Sequence, residues 1–184
     1  MNPSRASYFL GLGSIAIVNA AGSSESTKNG LRGLAANTYT TVVINKDQQC
    51  YEVHELLANA CGGHLASLHS QQDGINIKAL YVKHGGMRGI KHHSVYLGGE
   101  YDGSLGQWSW TDDTVFDYEN WREDPSDIVS SSGSWATRGV CSSTDDCSMS
   151  ALNTGFVLPG AYSLPSDYAD KSIYPNCDAT NFLS

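Results

Sequence analysis

The sequence predicts an α+β domain in which two helices sit among short antiparallel strands. Three observations carry this. Apolar residues follow an extended pattern first, then a 3.6-residue spacing across two stretches, then an extended pattern again. Gly-Gly pairs at 62–63 and 85–86 stop both helical stretches. The resulting order, strand, helix, helix, then strands, shows no strand–helix–strand alternation and no internal repeat, which argues against a parallel α/β plan.

Each element has a local reason. "TYTTVVI" at 38–44 is rich in β-branched residues and reads as a strand. Asp47 is placed to cap a first helix over 47–61, with Val53, Leu56, Leu57 and Ala60 as its apolar face. "HLASL" follows as a short extended segment. Ser70 then caps a second helix over 70–84, whose apolar positions are Ile75, Ile77, Leu80 and Tyr81. After the basic loop "GGMRGIKHH", "SVYLGG" reads as a strand and "EYDGSLG" as a turn. "QWSWT" is a strand with Trp108 and Trp110 on one face, and "DDTV" is another turn.

Composition bounds what such a domain does. The 184 residues suit one domain able to bury a real core, and 40% hydrophobic residues exclude a disordered chain. Eleven Lys and Arg stand against nineteen Asp and Glu, a formal charge of −8, so no basic surface is present to neutralise phosphates. Nucleic acid is excluded as a partner on this ground.

Residues 1–20 read as a signal peptide. Arg5 supplies the positive start, "YFLGLGSIAIV" the apolar run, and Val18-Asn19-Ala20 the small residues of a cleavage site. The run is too short to span a bilayer, and its alternative is a buried N-terminal strand or helix. Residues 21–37 carry no periodic apolar face and read as a flexible segment ahead of a domain over 38–184. Behind a leader, the five cysteines at 50, 61, 141, 147 and 177 are expected in disulfides, since none forms a C-x-x-C pair of zinc-site type. An odd count leaves at least one free thiol unless the chain dimerises. Cys50 with Cys61 is the least favourable pair: about eleven residues of helix at roughly 1.5 Å rise separate them by more than the ~6 Å a disulfide tolerates.

"CGGHLASLHSQQDGINIKAL", "VYLGGEYDGSLGQWSWTDDTVFDYENW" and "DPSD" together resemble the C-type lectin-like domain. In that family a Gly-Gly-His-Leu-Ala-Ser segment joins two helices, a Trp-Ile-Gly-Leu strand forms the core, and a Trp-x-Trp strand leads to an Asn-Trp. Here 95–98 stand in for the core strand, with Tyr96 at the usual Trp. The resemblance covers about 39–127 and thins beyond it, where "IVSSSGSWATRGVCSST" reads as an insertion in the long loop region.

The resemblance implies a secreted binding domain without catalysis, its ligand a glycan or glycoprotein. It also implies a calcium site, because sugar-binding members hold Ca²⁺ with an acidic Glu-Pro-Asn-type loop, an acid before a late cysteine, and a Trp-Asn-Asp. Carboxylates on adjacent loops suit an ion that takes six to eight oxygens. By this carry-over Asp124, Asp127, Asp145 and Asp146 are the metal ligands, and Asp124, Ser126 and Asp145 contact the sugar. Cys147 pairs with Cys177, and the helix cysteine, Cys50 or Cys61, lacks its usual partner, a place Cys141 is available to fill. Three departures weaken the calcium transfer: Asp124 is a methylene shorter than Glu in a loop one residue short, Ser126 offers a hydroxyl in place of an amide, and "KSIYPN" replaces Trp-Asn-Asp before Cys177. The expectation is weak or absent calcium dependence without mannose-type recognition, or a domain of this fold that binds a protein or other surface instead. His64, His69, His92 and His93 lie at no metal-motif spacing, and no G-x-S-x-G or phosphate-loop signature points to an enzyme.

Overall fold

The computed structural model describes residues 41–83, 94–130, 132–141 and 146–184. The leader, the segment over 21–37, the start of the first predicted strand, the Gly85-Gly86 stop, His92, His93 and Asp145 lie outside them.

Strand β1 (Thr41–Gln49) runs antiparallel to β7 (Leu158–Leu164), with Ile44 opposite Ala161, and touches β8 (Phe182–Leu183) on its other side. On its far side β7 takes the two-residue β2 (His64–Leu65) and meets β3 (Ser94–Asp102) at a parallel contact of Tyr96 with Gly160. The sheet continues from β3 to β5 (Trp135–Val140) and β6 (Ser148–Asn153), all antiparallel, while β4 (Gln107–Trp110) forms a hairpin with the outer half of β3. Helix α1 (Tyr51–Ala60) and helix α2 (Gln71–Lys83) complete the α+β plan. Among the described residues no helix is long and apolar enough to cross a membrane.

Strands buried on both faces read as continuous apolar runs, because alternate side chains enter different cores. Along β1, β3 and β7, Ile44, Val95, Leu97 and Ala161 join a core with Ile77 and Tyr81 of α2. Their neighbours Val43, Tyr96, Tyr162 and Leu164 join a second core with Tyr51 and Ala58 of α1. Tyr96 fills the position expected of a tryptophan with full burial, and its hydroxyl donates to the carbonyl of Phe156 at 2.9 Å.

Helix α1 begins later than predicted. Residues 47–49 stay in β1, where Gln49 still faces Leu158, and the extended Cys50 becomes the N-cap in place of Asp47. Its face also differs: Tyr51, His54 and Ala58 are buried while Leu56 is 70% exposed. The buried His54 explains this, since its hydrogen bonds to β7 outweigh the gain from turning Leu56 inward. Gly62 ends the helix at φ +78°, a conformation glycine adopts without a Cβ penalty. In α2, Ser70 does not accept as a cap; its hydroxyl donates to Asp73 at 2.9 Å, and Asp73 also accepts the His69 amide.

The cysteine pairing corrects the expected Cys147–Cys177 bridge. Cys61 pairs with Cys177, and Cys141 pairs with Cys147. The reason is the sheet itself: Cys141 and Cys147 lie in the α2-side core and Cys61 and Cys177 in the α1-side core. Cys50 is the free thiol.

Candidate functional site

The tryptophans of 106–127 form a staple. Trp110, at the buried end of β4, stacks on Phe116 with ring centroids 4.5 Å apart, and Trp108 lies 5.0 Å from Trp121. Backbone bonds complete the attachment: the Met149 amide donates to Asn120 O at 2.7 Å and the Arg122 amide to Met149 O at 2.8 Å. The loop that carries Asp124 and Asp127 is thereby tied to β6.

The described acids, Asp124, Asp127 and Asp146, do not converge. Asp124 Oδ1 accepts from the Ser126 amide at 2.9 Å and the Ser126 hydroxyl at 2.7 Å, closing a turn at the head of the short helical turn Pro125–Asp127. These bonds hold the Asp124 carboxyl below its ordinary range. They also commit the Ser126 hydroxyl proton. Asp127 is exposed, whereas Asp146 is only 6% exposed and accepts from Asn120 Nδ2 at 3.1 Å. Among the described residues, no three His, Cys, Asp or Glu side chains gather where an ion could sit.

A polar cleft forms instead between β2, α2 and the loop after β4. His69 Nδ1 faces Asp117 Oδ1 at 3.1 Å, while its Nε2 faces the hydroxyls of Ser67 and Thr114 at 3.1 and 3.0 Å. A Ser-His-Asp grouping invites a hydrolase interpretation, but the protons are elsewhere. Ser67 and Thr114 both donate to the buried Asp112, at 2.7 and 2.5 Å, so each turns a lone pair toward His69. The imidazole then has no hydroxyl proton to abstract, and the cavity of about 180 Å³ is small beside ordinary ligand pockets.

A larger recess of about 370 Å³ opens between the first turn of α1, the β3–β4 hairpin and the start of β5. Tyr51, Tyr101 and Trp135 supply ring surface, and Glu52, Glu100 and Asp102 supply carboxylates. Trp135 is fixed by its indole N–H, which donates to Ser130 O at 3.1 Å. It lies so close over Gly133 that a Cβ there would meet the ring nitrogen at 2.5 Å. Asp102 Oδ1 accepts from the Ser104 amide and hydroxyl at 2.8 and 2.6 Å, which sets its carboxylate in place. Partial burial and then the Glu55 carboxylate push the Glu100 carboxyl up, and burial does the same to the Tyr51 hydroxyl. That hydroxyl is buried beside Glu100 without an acceptor at full hydrogen-bond geometry. Sequence reasoning missed the recess because its residues come from stretches about fifty and thirty-five positions apart; "YDG" and the Trp after "SSSGS" were the only local signals.

No family model matches the chain. The type-2 ice-structuring protein of Brachyopsis segaliensis is 38% identical over 86 residues, which is 46% of this chain and 45% of that protein, so the match spans less than half of the relative's length. A calcium-independent type II antifreeze protein superposes with TM-score 0.51 at 25% identity, over 66% of this chain and 82% of its own. Human lithostathine gives TM-score 0.57 at 18% identity, over 71% and 88% of the two chains. The C-type carbohydrate-recognition domain of cow CD23 gives TM-score 0.50 at 16% identity, over 66% and 83%.

The chain has the C-type lectin-like fold. Lectins and antifreeze proteins share it, and neither class of neighbour is an enzyme. Within the C-type lectin-like fold of this chain, the staple rings belong to one of the motifs quoted from the sequence. The recess has no counterpart among those motifs.

Proposed function

We propose that this chain is a secreted, non-catalytic glycan-binding domain with weak or absent calcium dependence. The observation that carries the proposal is the placement of the acids a calcium-bridged sugar would need: among the described residues no three metal-ligating side chains gather where an ion could sit, and Asp146 is buried against Asn120. Asp127, which is exposed, remains as a weak contact for the ion. A recess with aromatic faces and carboxylates supports direct sugar binding, since rings receive the apolar face of a pyranose and carboxylates accept from its hydroxyls. The CD23 domain was solved with a GlcNAc2Man3 oligosaccharide, which supports a glycan as ligand for this fold. Two disulfides and the leader-like start support an extracellular location.

The test is a glycan array probed with and without chelator. Binding that survives chelation is the expected result, and signal abolished by chelator would overturn the calcium-independent reading. A second reading, ice binding, is favoured by the 38% identity to an ice-structuring protein. Thermal hysteresis in a freezing assay, with a blank array, would put ice in place of the glycan.

A further inference from the structure

Resting on the glycan reading but naming the ligand class and the site, we propose that the recess between α1, the β3–β4 hairpin and β5 binds a protonated amino sugar. Its ammonium group is held by Glu52, Glu100 and Asp102, and its ring lies against Trp135 and Tyr101.

Charge is the first argument. Three of the ten lining residues are acids and none is Lys, Arg or His, so the recess has no internal cation to balance its carboxylates. A ligand ammonium supplies that balance, and a neutral sugar does not. The second argument is the wall. Tyr101 and Trp135 present ring surface beside the acids, and aromatic faces attract cations as well as sugar C–H groups. Trp135 has its N–H committed to Ser130, so it offers its ring and not a donor. Size is the third: at about 370 Å³ the recess sits near the small end of ligand pockets, which span roughly 300–1,000 Å³, and accommodates a single ring.

A fourth observation is independent of the acids' number. The Tyr51 hydroxyl, on a side chain 1% exposed, is buried beside Glu100 with no acceptor at hydrogen-bond geometry. Buried hydroxyls are ordinarily satisfied, and here the Glu100 carboxylate is near enough to bear on the Tyr51 hydroxyl but stands off full hydrogen-bond geometry. A cation that draws Glu100 into a fixed position gives Tyr51 its acceptor. Desolvation and the nearby Glu55 disfavour the Glu100 charge in the empty recess, a cost that a bound ammonium relieves.

The experiment is calorimetric titration of the whole chain with glucosamine hydrochloride, N-acetylglucosamine, glucose and lysine amide. Glucosamine is expected to bind at least about ten-fold more tightly than the other three and to weaken as salt is raised. Glu100→Gln is expected to lower glucosamine affinity by roughly ten-fold with an unchanged melting temperature. Equal binding of glucosamine and N-acetylglucosamine would remove the ammonium from recognition, and lysine amide binding as well as glucosamine would remove the sugar ring. Failure of glucosamine alongside array hits for neutral glycans sinks the recess and leaves the glycan reading standing, whereas a blank array with tight glucosamine binding sinks the array-based reading alone.

Discussion

At the residue scale, the buried imidazole of His54 and the half-buried one of His64 set opposite pH dependences. His54 Nε2 donates to Leu158 O at 2.6 Å while its Nδ1 accepts from the Tyr162 hydroxyl at 2.7 Å, which in turn accepts from Asn45 Nδ2 at 3.1 Å. This chain of bonds requires the neutral ring, and burial pushes the His54 pKa down. A folded value below the ordinary 6.5 means that His54's contribution is present above that pH and lost as pH falls toward the folded value. His64 runs the other way. Its 2.6 Å bond to Glu55 raises its pKa, so its contribution is complete below 6.5 and lost as pH rises through the raised value. Urea unfolding of wild type and His64→Gln on both sides of neutrality should show the substitution costing more in mild acid than in mild alkali; an equal cost at both would refute the assignment. Tyr162→Phe should cost about 1–3 kcal/mol at neutral pH, since it strands the His54 ring nitrogen and the Asn45 amide; a loss below that range in the same titration would refute the network.

Two elements hold the loops, and they differ in strength. The Cys61–Cys177 bridge spans 116 residues and ties the end of α1 to the C-terminal segment, whereas Cys141–Cys147 closes 6 residues between β5 and β6. By loop-closure entropy the first contributes roughly 5 kcal/mol and the second roughly 2 kcal/mol. Paired substitutions to serine should therefore lower the denaturant midpoint much more for 61/177 than for 141/147, and the reverse order would reject the entropic account. The tryptophan staple is a second element-level device. Trp110 is 3% exposed and stacked on Phe116, so Trp110→Ala should cost about 3–5 kcal/mol. The same change should open 111–130 to limited proteolysis, because that loop is fastened to β4 through these rings; unchanged cleavage would show that the bonds to Met149 suffice alone.

For the whole molecule, the acids over 124–146 and the double core have separate consequences. If Kd for Ca²⁺ is a millimolar or weaker, calcium at the same concentration adds at most about 0.4 kcal/mol, or roughly 1–2 °C in melting temperature. Scanning calorimetry with calcium and with chelator checks this, and a rise of many degrees would restore the chelating site. The fold class was legible beforehand because its signals are local: β-branched runs, the Gly62 stop, and two tryptophans at a spacing of two. The apolar runs of β1 and β3 were legible as strands, and full burial explains why they do not alternate with polar residues. Four things were not legible. Strands β5 to β7 follow the point where the resemblance thins, and β5 falls inside "IVSSSGSWATRGVCSST", the expected loop insertion, because its value as a strand comes from pairing with β3 and β6. Which face of α1 turns inward depended on His54 finding β7 more than a hundred residues away. Cysteine pairing depended on which side of the sheet each thiol faces, and spacing along the chain does not encode that. The recess joins Tyr51, Tyr101 and Trp135, whose proximity exists only after α1 docks and β5 pairs with β3. The sequence by itself determined the two helices and the strands as far as β4, through patterns a few residues long; tertiary structure decided β5 to β7, the closure of the staple, cysteine pairing, helix facing and the recess, through contacts whose partners no local pattern specifies.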